Sequence, residues 1–244
     1  MNIIKLDATA STNTYLKNMV MNTVLKNFTV VTTETQGEGR GQMGAKWNSE
    51  PHKNLLFSVY CRLDKFAIAD SFFLSMAAAT AIYKVLKIYK VPKLSVKWPN
   101  DIMSGTHKIG GLLLENTIKT NRVHYTIIGL GLNVNQKVFG NDLPNASSLS
   151  NVLGFDLHKE ALLDVILKSI RYEIENCLPE TFSLLKNNYL ACLYKYKTPA
   201  MFSDKFGVQF MGKIIDVTHE GALSVELPDD TIVFFNLKEI RFLH

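Results

Sequence analysis

Cysteine is scarce in this 244-residue sequence: only Cys61, Cys177 and Cys192 occur, odd in number and far apart, with no CxxC pair. This excludes a disulfide framework and a thiolate zinc knuckle, and it fits a reducing, cytoplasmic setting. The six histidines, from His52 to His244, show no metal-ligand spacing. A Gly-x-Ser-x-Gly elbow and a Walker Lys-Ser/Thr are both missing, which argues against a triad hydrolase and a P-loop enzyme. Long apolar runs are missing too. The longest, near Ser71 to Tyr83, is closed by Asp70 and Lys84, short of the ~20 residues a bilayer requires. The start, Met1 to Asp7, has no apolar core or small-residue cleavage site of a secretory signal. Charge is nearly balanced, 27 basic against 22 acidic side chains for a net +5, and the lysines are scattered. Without a dense basic block, nucleic-acid binding is not the expected main role. A mild positive excess suits ATP or an acidic protein partner instead.

What is present reads as α+β with mixed pairing. Asn2 to Leu6, Phe28 to Thr33, Asn54 to Leu63, Leu94 to Trp98, Ile109 to Thr117 and Arg122 to Leu130 carry strand patterns. Ser11-Thr12-Asn13 offers N-cap side chains to a helix bearing Tyr15, Leu16 and Met19. Asp70 to Lys90 reads as a long buried helix. Leu162, Ile166, Ile170 and Ile174 keep helical spacing in a stretch expected to run from Lys159 to about Tyr189. After a boundary between Lys195 and Pro199 the chain changes to short strands broken by turns, at Phe206 to Val217, Leu223 to Leu227 and Ile232 to Phe235. The expected domains are 1–195 and 196–244, the second a small SH3-like β-barrel.

Three segments carry the chemistry. The first is Gln36-Gly37-Glu38-Gly39-Arg40-Gly41-Gln42-Met43-Gly44-Ala45-Lys46-Trp47. Gly39 to Gly44 matches GxGxxG, but the following Trp47 to His52 is polar and proline-broken, so no dinucleotide helix opens there. A glycine-rich loop can still wrap a ligand with backbone amides while Arg40 offers a fixed fork to a carboxylate or phosphate. The second is Lys97-Trp98-Pro99-Asn100-Asp101, followed by Lys108-Ile109-Gly110-Gly111-Leu112-Leu113-Leu114-Glu115. It sets two lysines, an amide and a carboxylate at the ends of two apolar strands joined by a short polar turn, focusing positive charge on one point. The third is Gly129-Leu130-Gly131-Leu132-Asn133, where glycines permit close approach by a flat ligand and an asparagine can read polar groups.

In this order and spacing, with Ser11-Thr12-Asn13 and the trailing small barrel, the motifs resemble those of the biotin protein ligases over nearly the whole chain. The resemblance implies a mixed-sheet catalytic domain related to class II aminoacyl-tRNA synthetases. It also implies a two-step reaction: biotin is activated by MgATP to biotinyl-5′-AMP, then transferred to a lysine of a biotin carboxyl carrier domain. By the same resemblance Lys108 is the main catalytic residue, with Arg40 holding the carboxylate and the adenylate phosphate. Lys97, Asn100 and Asp101 line the phosphate or metal side, Asp101 being the candidate Mg²⁺ ligand. Trp47 packs on adenine, and Gln42 and Asn133 face the nucleotide. Ser11, Thr12, Asn13 and Gln36 hold the ureido ring, joined by Gly39 and Gly41, while Gly111, Gly129 and Gly131 give it room.

Two departures stand out. Gln42, Met43 and Ala45 occupy positions after Gly-Arg-Gly where some members carry further basic residues, so retention of the adenylate is open. No helix-turn-helix precedes the first strand, so a ligase without DNA binding or membrane attachment is expected. A homodimer through the sheet is common among such ligases. The rivals are a lipoate or octanoate ligase, which shares the reaction logic, a non-catalytic biotin or nucleotide sensor, and an SH3-type interaction protein.

Overall fold

The computed structural model describes residues 1–243 and, among these, all side chains except those of residues 64 and 65. A seven-stranded sheet forms the larger part. In chain order it contains β1 (Asn2–Thr9), β2 (Thr29–Gln36), β3 (Leu55–Ala67), β4 (Leu94–Lys97), β5 (Asp101–Ser104), β6 (His107–Lys119) and β7 (Arg122–Leu132). Their spatial order is β1-β2-β3-β7-β6-β5-β4. Only β1 and β2 are parallel, joined through helix α1 (Thr12–Asn22), so the sheet is mixed.

Period-two alternation sorts the strand side chains to two faces. Val30, Phe57, Val59, Ile128, Leu130 and Leu132 point to one face, beneath α2 (Ser71–Ile88), α4 (Lys159–Glu175) and α5 (Phe182–Ala191). Val31, Tyr60, Tyr125 and Ile127 point to the other, where Leu16 of α1 covers them. Helix α1 is only 11 residues long and covers part of that face. Over the remainder the strands carry Ser58, Gly129, Gly131 and Gly111, which leave a hollow.

Helix α2 is long and apolar enough to cross a membrane by length and composition alone, but Phe73, Leu74, Met76 to Ile82, Val85 and Leu86 are buried in the core. Three sequence expectations need correcting. Strand β5 occupies what reads as the polar turn after Pro99, so the two lysines are separated by two hairpins. The single helix from Lys159 to Tyr189 is two helices, because Pro179 has no N–H to continue the ladder. A one-turn 3-10 helix, Pro179–Thr181, joins them, and Thr181 Oγ1 donates to the Asn176 carbonyl at 2.6 Å. Short α3 (Leu149–Leu153) has no counterpart in the sequence reading.

Residues 199–242 form a separate five-stranded antiparallel sheet of order β11-β10-β9-β8-β12. Its strands are β8 (Pro199–Asp204), β9 (Gln209–Val217), β10 (Leu223–Glu226), β11 (Ile232–Phe235) and β12 (Ile240–Phe242). The expected strand from Phe206 begins only at Gln209, since Asp204 Oδ1 accepts the amides of Phe206 and Val208 at 2.9 and 2.8 Å and forms a turn there. No flexible linker separates the two sheets. Phe202, Ile214, Leu223 and Val225 belong to the same buried cluster as α2.

At their junction Trp98 Nε1 donates to the Gly221 carbonyl at 2.9 Å, and His219 Nε2 lies 2.6 Å from Asp70 Oδ1. Gly221 has φ +96°, and a Cβ there would stand 2.3 Å from the Phe72 ring, so both backbone and space call for glycine.

Candidate active site

The hollow beside α1 is a cavity of about 250 Å³. It gathers Ser11, Thr12 and Asn13 from the start of α1, Gln36 from the end of β2, and Arg40, Gly41, Gln42 and Trp47 from the following loop. From the sheet come Asn100, Asp101, Lys108, Gly111, Gly129 and Gly131. Three sequence candidates do not line it. Gly39 closes the loop instead: its carbonyl accepts from Trp47 N at 2.8 Å, and a Cβ there would strike the Trp47 carbonyl. Asn133 is buried behind the floor, with Nδ2 donating to the Ser147 carbonyl at 2.9 Å. Lys97 points toward the small sheet, its ammonium 4.8 Å from the centroid of the Phe242 ring.

One end of the cavity is polar and uncharged. Gln36 Oε1 accepts from both Thr12 N (3.0 Å) and Thr12 Oγ1 (3.2 Å), so Gln36 satisfies an open amide of the first helical turn. Ser11, expected to cap that helix through its side chain, makes no such bond. Ser58 Oγ lies 2.7 Å from Thr12 Oγ1 and 2.5 Å from Asn13 Oδ1. Ser58 went unnoticed in the sequence because a serine in an apolar strand carries no motif. Its signal is register: it pairs with Gly129, and so shares that glycine's face.

The other end is ionic. Lys108 Nζ sits 2.6 Å from Asp101 Oδ1. Arg40 Nη2 sits 3.0 Å from Glu115 Oε2, which also accepts from Asn13 Nδ2 at 2.8 Å. Glu115 therefore orients the arginine and the asparagine together, a role its place in the motif does not reveal. The backbone of Lys108 is clamped by residues 145–147: its amide donates to Asn145 O at 2.7 Å and its carbonyl accepts from Ser147 N at 3.0 Å. Asn100 braces β6, donating to the Leu112 carbonyl and accepting the Leu112 amide.

The floor is the cross-strand pair Gly111 and Gly131. Trp47 lies on it, so near that a Cβ on Gly131 would be 2.3 Å from the indole. Lys108 Nζ is 5.5 Å from the centroid of the Trp47 ring, within cation–π range. The indole Nε1 is buried without a partner.

Burial pulls the pKa of Lys97 below the ordinary lysine value. Asp101 opposes that shift, while Lys108 and Lys195 add to it. No group of three metal-ligating side chains occurs among the described residues, and Asp101 is engaged by Lys108. A dedicated cation cage is not built here. Mg²⁺ that arrives on nucleotide phosphates needs no more than a carboxylate or two from the protein. The arrangement can hold a slender ligand with a hydrogen-bonding head and an anionic tail.

Comparison with known proteins agrees with this geometry. Bifunctional ligase/repressor BirA of Bacillus subtilis is 28% identical over 203 residues, covering 81% of this chain and 61% of that protein. The Escherichia coli protein of the same name is 30% identical over 166 residues, 68% of this chain and 51% of that one. The chain thus spans between half and about three-fifths of the length of these relatives. A solved biotin protein ligase from Aquifex aeolicus, in complex with biotin and ATP, superposes with TM-score 0.81 at 23% identity over 99% of both chains. That likeness establishes a shared fold. The Biotin/lipoate A/B protein ligase family model matches residues 6–133, which enclose every residue lining the cavity. By that match, over more than half its length, the chain belongs to the biotin/lipoate A/B protein ligase family.

Proposed function

We propose that the chain is a biotin–protein ligase, which activates the biotin carboxylate with ATP and transfers biotin to a lysine of a biotin carboxyl carrier domain. One observation carries the reading: a single cavity has a neutral hydrogen-bonding end at Thr12, Gln36 and Ser58 and a cationic end at Arg40 and Lys108. A ureido ring can satisfy the first end. The dithiolane of lipoate or the chain of octanoate would leave those buried groups without a matching partner, at about 1–3 kcal/mol for each.

At the cationic end two anions must meet. The carboxylate oxygen attacks the α-phosphorus, the bond to the bridging oxygen breaks, and pyrophosphate leaves with that electron pair. Arg40 and Lys108 offset the repulsion and the charge developing on the phosphoryl oxygens. Glu115 and Asp101 hold these two cations in place until the substrate anions draw on them. In the second half-reaction the carrier lysine, as a neutral amine, attacks the acyl carbon and AMP departs. Trp47, over Gly131, is placed to pack against adenine. Mg²⁺ enters with ATP.

Residues 1–195 serve as the catalytic domain, related to class II aminoacyl-tRNA synthetases, and 196–244 as an SH3-like domain. Three unpaired thiols suit the cytoplasm.

The test is pyrophosphate release from MgATP with biotin, lipoate and octanoate in parallel, followed by transfer to a carrier domain. Release with biotin alone is expected. Release with lipoate instead would move the protein to the sister ligases, and tight biotin binding without release would leave a sensor.

A further inference from the structure

A second hollow, of about 790 Å³, opens beside the first, and Gln42 lines both. One wall is the Lys97-Trp98-Pro99 segment; the other is the small sheet, through residues 203–207 and 237–242. Four cationic side chains line it, Lys97, Lys205, Lys238 and Arg241, against the one carboxylate of Asp204. That carboxylate already accepts two backbone amides, and Lys205 is paired with Glu239 at 3.4 Å. Among the described residues, Lys97, Lys238 and Arg241 make no ion pair. Lys97 is held half-buried against Phe242. Lys238 Nζ donates to the Met43 carbonyl at 3.2 Å, which ties the small sheet to the loop that rims the first cavity.

We propose that this groove seats the two outer phosphoryl groups of the nucleotide, and the pyrophosphate they become. The inference rests on the ligase reading above, which puts the α-phosphate at Arg40 and Lys108. A cavity of about 250 Å³ has no space for the whole triphosphate beside the ligand it must activate, and Gln42 marks where it continues into the second hollow. Pyrophosphate is compact and multiply negative, and unpaired cations converge on the groove from both walls. A half-buried lysine between two walls is reached by such an anion more readily than by an acidic protein surface.

The experiment uses the full chain with Lys238→Ala, Arg241→Ala and the double variant, all exposed positions whose loss leaves the core intact. The double variant should raise both the KM for ATP and the inhibition constant for pyrophosphate about tenfold, with the KM for biotin unchanged. Arg241→Lys, which keeps the charge, should recover most of the loss. Transfer to a carrier domain from synthetic biotinyl-5′-adenylate, which has no outer phosphates, should match wild type. Unchanged ATP and pyrophosphate constants would overturn the proposal. So would a raised KM for the carrier domain in the adenylate-fed reaction, which would assign the groove to an acidic acceptor. If the wild type shows no biotin-dependent pyrophosphate exchange, the ligase reading falls and takes the groove with it; a normal wild type with indifferent variants sinks the groove alone.

Discussion

Lys108 and Arg40 approach the cavity already neutralised by Asp101 and Glu115, so each cation is held in place without being buried bare. Removing the Lys108 ammonium should therefore cost chemistry far more than stability. We expect Lys108→Ala to lower biotin-dependent pyrophosphate release about 10²- to 10³-fold while the melting temperature stays close to wild type. Turnover at the wild-type rate would refute the assignment. At this scale much of the site is legible, because polar and glycine residues interrupting apolar strands are visible in one dimension. Lys97 and Asn133 show the limit. Each stands in a motif beside true lining residues, but strand geometry sends Lys97 toward Phe242 and Asn133 toward Ser147. Ser58 and Glu115 were obscure for the converse reason: their partners lie about 45 to 100 residues away.

Long elements with a clear period were readable, and short ones were not. Strand β5 has four residues, Asp-Ile-Met-Ser, too few to alternate convincingly, and β8 opens on a proline. Nor does local sequence disclose what a turn in one sheet does for another. Trp98 reads as a structural tryptophan; its indole proton reaches Gly221, 123 residues away, and fastens the Lys97–Asp101 segment to the second sheet. Trp98→Phe keeps most of the ring but leaves that carbonyl unpaired, at about 1–2 kcal/mol. The urea midpoint should fall with an unchanged slope. An unaltered midpoint would mean that the bond adds nothing at this junction.

For the molecule as a whole, α+β class and strand order along the chain followed from patterning, whereas the pairing of β3 with β7 required knowing what the sheet leaves out. The continuous core has a chemical consequence. Burial pushes the thiols of Cys177 and Cys192 up to about 12, with Asp70 and Glu173 adding to the shift at Cys177, and raises Cys61 as well. At pH 8 a thiol of pKa about 12 is thiolate about once in ten thousand. An aromatic disulfide reagent should leave all three cysteines untouched in the native protein and titrate all three in guanidinium. Rapid native reaction at any one would show that the core opens locally.

Strand β3 skips three later strands to meet β7, so the cavity's floor and its rim come from opposite ends of a span running from Ser11 to Gly131. The pocket is therefore indivisible. A nascent chain exposes its hydrogen-bonding end long before the glycines that complete it have been synthesised, and no excised fragment shorter than that span can contain it.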